Sequence, residues 1–177
     1  MINHRLLFFF ILLTQTTQTL YADTDDEDDL PFVQISSLRD FSALSKDAAR
    51  NNKIIMLEVS ASYCDYCRVL EEEIIKPMLR SGDYTKNVLI RQLEIDDIYL
   101  IRTISGSKIT PSELAEKYKI KITPTLLFLD SDGHEVSKRI LGVYSLDFYG
   151  GYVDEAIING LKTINRRNTE ITEITEL

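Results

Sequence analysis

The chain has 177 residues, of which 44% are hydrophobic and 27% charged, and a formal net charge of −8 at pH 7. That length and composition fit one globular domain with tails and one sizeable core. The acidic balance and the lack of a basic stripe exclude a nucleic-acid binder.

Arg5 precedes an apolar run at residues 6–13, followed by a Thr/Gln stretch and Leu20-Tyr21-Ala22. This is the order of a charged n-region, an apolar h-region and a small-residue cleavage site, so residues 1–22 are expected to be a signal peptide. The run falls short of the ~20 residues that span a bilayer, and no stable membrane insertion is expected after signal removal. The implied address is the secretory pathway, where disulfides form. Residues 23–29 hold six acidic side chains and no apolar one, which reads as an acidic, disordered lead-in. Residues 30–165 are read as the folded domain and 166–177 as a polar, frayed C-terminal tail.

Within the domain, residues 30–35 suggest a short edge strand with Pro31 near its start. Ser37-Leu38-Arg39-Asp40 resembles a capping box for a helix whose apolar face is Leu38, Phe41, Leu44, Ala48 and Ala49, with Asn51-Asn52 ending it. Residues 54–59 form a nearly all-apolar run, a strand buried on both faces, interrupted by Glu58. A helical pattern follows from Val69 to Leu79; Glu71-Glu72-Glu73 is expected to point mainly to solvent, and Pro77 to kink or end the helix. Residues 88–96 read as a strand, and 97–109 as a loop or a short hairpin around Ser105-Gly106-Ser107. Thr110-Pro111-Ser112-Glu113 is a helix start with Thr as N-cap, Pro at N1 and Glu at N3. A buried strand follows Pro124, then a tight turn at Asp130-Ser131-Asp132-Gly133, a returning strand at 135–141 and a close-approach site at Gly142. Ser145 can cap a final helix from Leu146 to about Ile164, weakened at Gly150-Gly151.

Cys64 and Cys67 are the only cysteines. They lie between the first strand and the helix after it. Helix N-terminal N–H groups carry partial positive charge and stabilise a thiolate. The first cysteine is placed to attack a disulfide and the second, one turn on, to resolve the mixed disulfide. A structural zinc site needs four ligands, and His134 is the only histidine after residue 22; no metal and no cofactor are expected. A purely structural disulfide here would close a very small loop and stabilise little. Asp65 next to Cys64 disfavours the thiolate by like-charge repulsion, which makes the centre a weaker oxidant, with Arg68 offsetting part of that charge. Glu58 in an apolar strand needs a reason to be there; the alternative puts it on the open face of an edge strand.

The order β-α-β-α-β-β-α with Cys64-Asp65-Tyr66-Cys67 at a strand-to-helix junction resembles the thioredoxin superfamily over residues 35–161. Glu58 stands six residues before Cys64, where thioredoxins keep a buried acid. Ile122-Thr123-Pro124-Thr125 matches the segment carrying the family's cis-proline, which faces the cysteines. The chain looks most like the secreted bacterial thioredoxin-related (SoxW-like) disulfide reductases. Its Cys-x-Tyr-Cys centre with Thr before the proline also resembles the periplasmic disulfide isomerases, although too few residues precede the fold for their dimerisation domain, and a monomer is expected.

The resemblance implies an α/β thioredoxin fold with a central mixed sheet flanked by helices. It implies a periplasmic thiol-disulfide oxidoreductase that reduces or isomerises client disulfides, recharged by a membrane thiol-reductant carrier. Cys64 is then the nucleophile, Cys67 the resolving thiol and Glu58 its proton acceptor. Thr123 and Pro124, with Tyr63, Asp65 and Tyr66, are the expected substrate-binding residues, Thr123 offering backbone to an extended client segment; an ordinary trans proline is the alternative. Tyr63 stands where thioredoxin has Trp, and Asp65-Tyr66 where it has Gly-Pro, so general cytosolic reduction is not implied. Two other readings stay open: a binding module that uses the proline groove with little redox turnover, and a dithiol oxidase, which Asp65 argues against.

Overall fold

The computed structural model describes residues 30–175; the expected signal peptide at 1–22 and the expected acidic lead-in at 23–29 lie outside them. Helix α1 (Phe41–Asn51) leads into strand β1 (Ile54–Ser60). A single helical run follows: α2 (Asp65–Leu70), a π turn (Glu71–Ile75) and α3 (Lys76–Ser81). Strand β2 (Val88–Glu94), the short pair β3 (Ile101–Arg102) and β4 (Lys108–Ile109), and helix α4 (Pro111–Lys117) come next. Strands β5 (Thr125–Leu129) and β6 (Ile140–Leu141) and the long helix α5 (Leu146–Thr175) complete the domain.

The main sheet has the order β2-β1-β5-β6. β1 runs parallel to β2 and antiparallel to β5, so the sheet is mixed. Every residue of β1 is buried, as expected of a central strand with layers on both faces. Alternation sorts its side chains. Ile54 and Met56 join Leu126 and Phe128 in a core with Leu70, Ile75 and the α5 residues Tyr149, Val153 and Ile157. Ile55, Leu57 and Val59 join Leu127 and Leu129 in a second core with Phe41 and Leu44 of α1 and Leu114 of α4. Glu58 shares the parity of Ile54 and Met56 and therefore faces the α2 and α5 side.

Local chemistry explains several boundaries. Asn52 ends α1 in the left-handed conformation (φ 51°), which Asn tolerates better than most residues. Thr110 and Glu113 make a reciprocal capping box at α4, with Pro111 in the first turn. Asp130 is buried and organises the turn after β5, accepting from the backbone N–H groups of Asp132 (3.0 Å) and His134 (2.8 Å) and from Arg167 Nη1 (2.5 Å). Gly133 closes that turn at φ +81°, where a Cβ would meet Ile104 and the Tyr118 hydroxyl at 3.0 Å.

Other expectations need correction. Residues 30–35 form no strand; the β2 edge is instead met at Ser37, where Leu38 N–H donates to the Gln92 carbonyl (2.8 Å). That pairing holds Ser37 extended, and Asp40 caps α1, accepting from Ala43 N–H. Leu38 is buried ahead of the helix, and Ala49 is exposed. Pro77 neither ends nor breaks the helix. Proline lacks an N–H and crowds the carbonyl four residues back, and the π turn lies directly before α3, which holds Pro77 in its first turn. The segment at 97–109 is the hairpin β3–β4. The returning strand is interrupted: Glu135 bridges Leu129, the ladder opens at 137–139, and β6 holds two residues. There Arg139 turns aside to Glu135 and to the Tyr118 carbonyl (3.0 Å). Helix α5 continues through the expected frayed tail to Thr175. Arg167 bonds Asp130, and Asn165 and Asn168 bond Asn52, so tertiary contacts extend it where propensity alone would not.

Candidate active site

The C-terminal end of β1 delivers the chain into a short loop that is pinned from β2's side. Asp96 accepts from the Ser62 backbone N–H (3.0 Å) and hydroxyl, and these bonds hold its carboxyl below the usual range. Cys64 follows as the N-cap of α2. Its Sγ accepts from the Cys67 N–H at 3.1 Å, so a helix N-terminal donor points at the sulfur. Cys64 and Cys67 are joined as a disulfide with a Cα–Cα distance of 5.3 Å. The two sulfurs are unequal. Cys64 is half-buried, whereas Cys67 is 1% exposed. An incoming disulfide can therefore reach the first and not the second.

Glu58 lies within β1 at 0% exposure, which rules out the edge-strand alternative. Burial, then the charge of Glu71, raise its carboxyl well above the usual range, while the Gln92 hydrogen bond opposes them. Gln92 is its register partner on β2 and donates from Nε2 to Glu58 Oε2 at 3.3 Å. Glu58 Oε1 has no hydrogen-bond partner among the described residues. Tyr149 of α5 is also on this side; burial, then the Glu58 charge, raise its phenol.

The Thr123–Pro124 peptide bond is cis. Thr125 pairs with Val59, so the start of β5 sits at the end of β1 that leads to the cysteines. Pro124 is buried and Thr123 half-buried. The Pro124 carbonyl accepts from the Gly142 N–H (2.8 Å), and the Gly142 carbonyl accepts from the Tyr149 hydroxyl (3.2 Å). Gly142, at φ +66°, makes this turn where other residues are strained. Tyr63 and Tyr66 are 75% and 65% exposed beside the cysteines. Asp65 is exposed and paired with Arg68 at 2.6 Å.

Residues 41–156 match the family model for a thioredoxin-like domain. The chain belongs to that family. Among solved structures, the thioredoxin-like domain is similar to a DsbH oxidoreductase, at 16% identity over 86% of this chain and 94% of that one, with a TM-score of 0.53. It is also similar to a poplar thioredoxin h mutant, at 19% identity over 76% of this chain and 92% of that one, with a TM-score of 0.50. These likenesses establish the fold, a mixed sheet between helical layers. No curated protein matches the sequence.

Three residues of the thioredoxin-like site escape a reading by motif: Glu71, Gln92 and Asp96. Two of them, Gln92 and Glu71, leave a trace. Gln92 has the parity of Val88 and Ile90, a polar residue on a core face. Glu71 stands four residues after the buried Cys67, one helical turn on and on the same side, so it is half-buried and not solvent-facing like Glu72 and Glu73.

Proposed function

We propose that the protein is a periplasmic thiol-disulfide oxidoreductase that reduces, or isomerises, disulfides of client proteins. The observation that carries this reading is the asymmetric pair, an accessible Cys64 at a helix N-terminus joined to a sealed Cys67. In the reduced protein, Cys64 thiolate attacks a client disulfide and one client sulfur leaves as thiolate. Glu58 then takes the Cys67 proton. Cys67 attacks Cys64 Sγ, the Cys64–client bond breaks, and the second client sulfur departs with the electron pair and a proton. Two electrons pass to the client, and a membrane thiol-reductant carrier restores the dithiol. The exposed Tyr63 and Tyr66 and the backbone at Thr123 and Pro124 receive the client segment. The signal-like residues 1–22 support a periplasmic address and a SoxW-like kinship; among the described residues no helix is long and apolar enough to cross a membrane.

The test is a stoichiometric reaction of the reduced protein with insulin. The expected result is loss of insulin's interchain disulfides matched by formation of the Cys64–Cys67 disulfide; unchanged insulin with a persistent dithiol contradicts the proposal.

The Asp65 charge should tilt this centre toward reduction. Its carboxylate disfavours the Cys64 thiolate, which lowers the reduction potential. The pairing with Arg68 is solvent-exposed and screens that charge only in part. Asp65→Asn should therefore raise the potential by about 10–30 mV in a glutathione equilibrium. An unchanged value would show that Arg68 already neutralises Asp65, and either that or a lower value would overturn the role given to Asp65.

A further inference from the structure

The buried acid is not alone. Gln92 donates from one nitrogen, Nε2, to Glu71 Oε1 at 2.6 Å and to Glu58 Oε2 at 3.3 Å. Two carboxyl groups served by one nitrogen lie about 6 Å apart at most, the range in which one charge governs its neighbour's ionisation. The surroundings leave that repulsion little relieved. Facing Glu58 are Gln92 and Glu94 from β2, Glu71 from the helical run and Tyr149 from α5; β5 presents Leu126. Burial raises the Glu71 carboxyl as well, and the Lys76 charge opposes this and favours the Glu71 anion although Lys76 is bonded to Glu72. Glu58 Oε1 is buried without a partner among the described residues, so a charge there is poorly compensated.

We propose that Glu71 is a positioning residue for the dithiol reaction: acting across the shared Gln92 nitrogen, its negative charge keeps a proton on Glu58 and so sets the pH above which Glu58 can accept the proton of Cys67. This rests on Glu58 being that acceptor. Only the ionised carboxyl can take the Sγ proton of Cys67. The thiolate then forms the Cys67–Cys64 bond, the Cys64–client bond breaks, and the client sulfur leaves with the electron pair and recovers the proton from Glu58. Burial first and the Glu71 charge second raise Glu58, in the sense the geometry requires. Removing the Glu71 charge lets Glu58 ionise at lower pH.

The experiment follows single-turnover decay of the mixed disulfide between Cys64 and glutathione, formed from reduced protein and oxidised glutathione, across a pH series. Wild type should show an acid limb. Glu71→Gln should move that limb down by about one pH unit, a roughly tenfold faster decay below the wild-type midpoint, whereas Glu71→Asp, which keeps the charge, should leave it near wild type. Glu58→Gln should remove the limb. A limb that survives Glu58→Gln means that Cys67 uses another acceptor and overturns the reading beneath the proposal. A limb removed by Glu58→Gln but unmoved, or moved upward, by Glu71→Gln overturns the Glu71 assignment alone. The unsubstituted protein gives an independent check by 13C titration of the two carboxyl groups. Coupled two-step curves are expected; separate single steps overturn the proposal even if a variant fails to fold.

Discussion

Cys64→Ser should abolish disulfide reduction, leaving the uncatalysed background. A serine hydroxyl does not ionise near neutral pH, and without a thiolate no mixed disulfide can form. The helix N-terminus would still face the side chain at position 64, but with nothing there to stabilise as an anion. Stability should match that of the reduced wild type, because both lack the Cys64–Cys67 bond. Cys67→Ser should fail differently. Cys64 still attacks, no thiol resolves the product, and the mixed disulfide accumulates for detection by non-reducing electrophoresis. The same Cys64→Ser variant separates catalysis from binding. A module that only holds partners through the exposed tyrosines and the Pro124 groove would keep its affinity for a client peptide, so retained biological activity in this variant would favour that reading.

Glu58→Gln should slow resolution and stabilise the fold together. Removing a general base costs about 10²-fold or more, read as the rate of mixed-disulfide decay near neutral pH. The stability effect follows from linkage. In the unfolded chain a Glu titrates near about 4.3; in the fold, burial and then Glu71 raise Glu58 well above that. Between the unfolded and folded values the native state holds more protons, so stability falls as pH rises through that window and stays low above it. Glutamine cannot ionise. The variant should match wild type near pH 4 and exceed it at pH 8 by at least about 1 kcal/mol, or ~2–4 °C in Tm. A variant less stable than wild type at pH 8 would show that the ionised Glu58 is well solvated or paired. The opposed effects are the trade between stability and activity expected of an acid kept buried for its chemistry.

Features set by neighbours in the chain could be read directly. Cys64 and Cys67, the apolar run of β1, the capping box at Thr110 and the turn at Asp130 depend on residues within a few positions of one another, and each stands where the pattern puts it. Glu58 could be placed in a strand, but its burial depended on β5 pairing with β1 from some seventy residues away. Features set by tertiary contacts were harder. The interruption of the returning strand goes with Arg139 reaching Tyr118 and Glu135. The continuation of α5 past Ile164 goes with Asn52 and Asp130 bonding Asn165, Arg167 and Asn168. The inward turn of Glu71 depends on Gln92, and only the β1–β2 register brings Gln92 beside Glu58.

The measurement that bears most directly on the central claim is the reduction potential of the Cys64–Cys67 couple, by equilibration with glutathione or dithiothreitol. A potential of about −250 mV or lower, in the range of thioredoxin, is the result expected of a reductase that must be recharged. A potential near about −120 mV would mark a strong oxidant and would contradict both the reducing direction and the role given to Asp65.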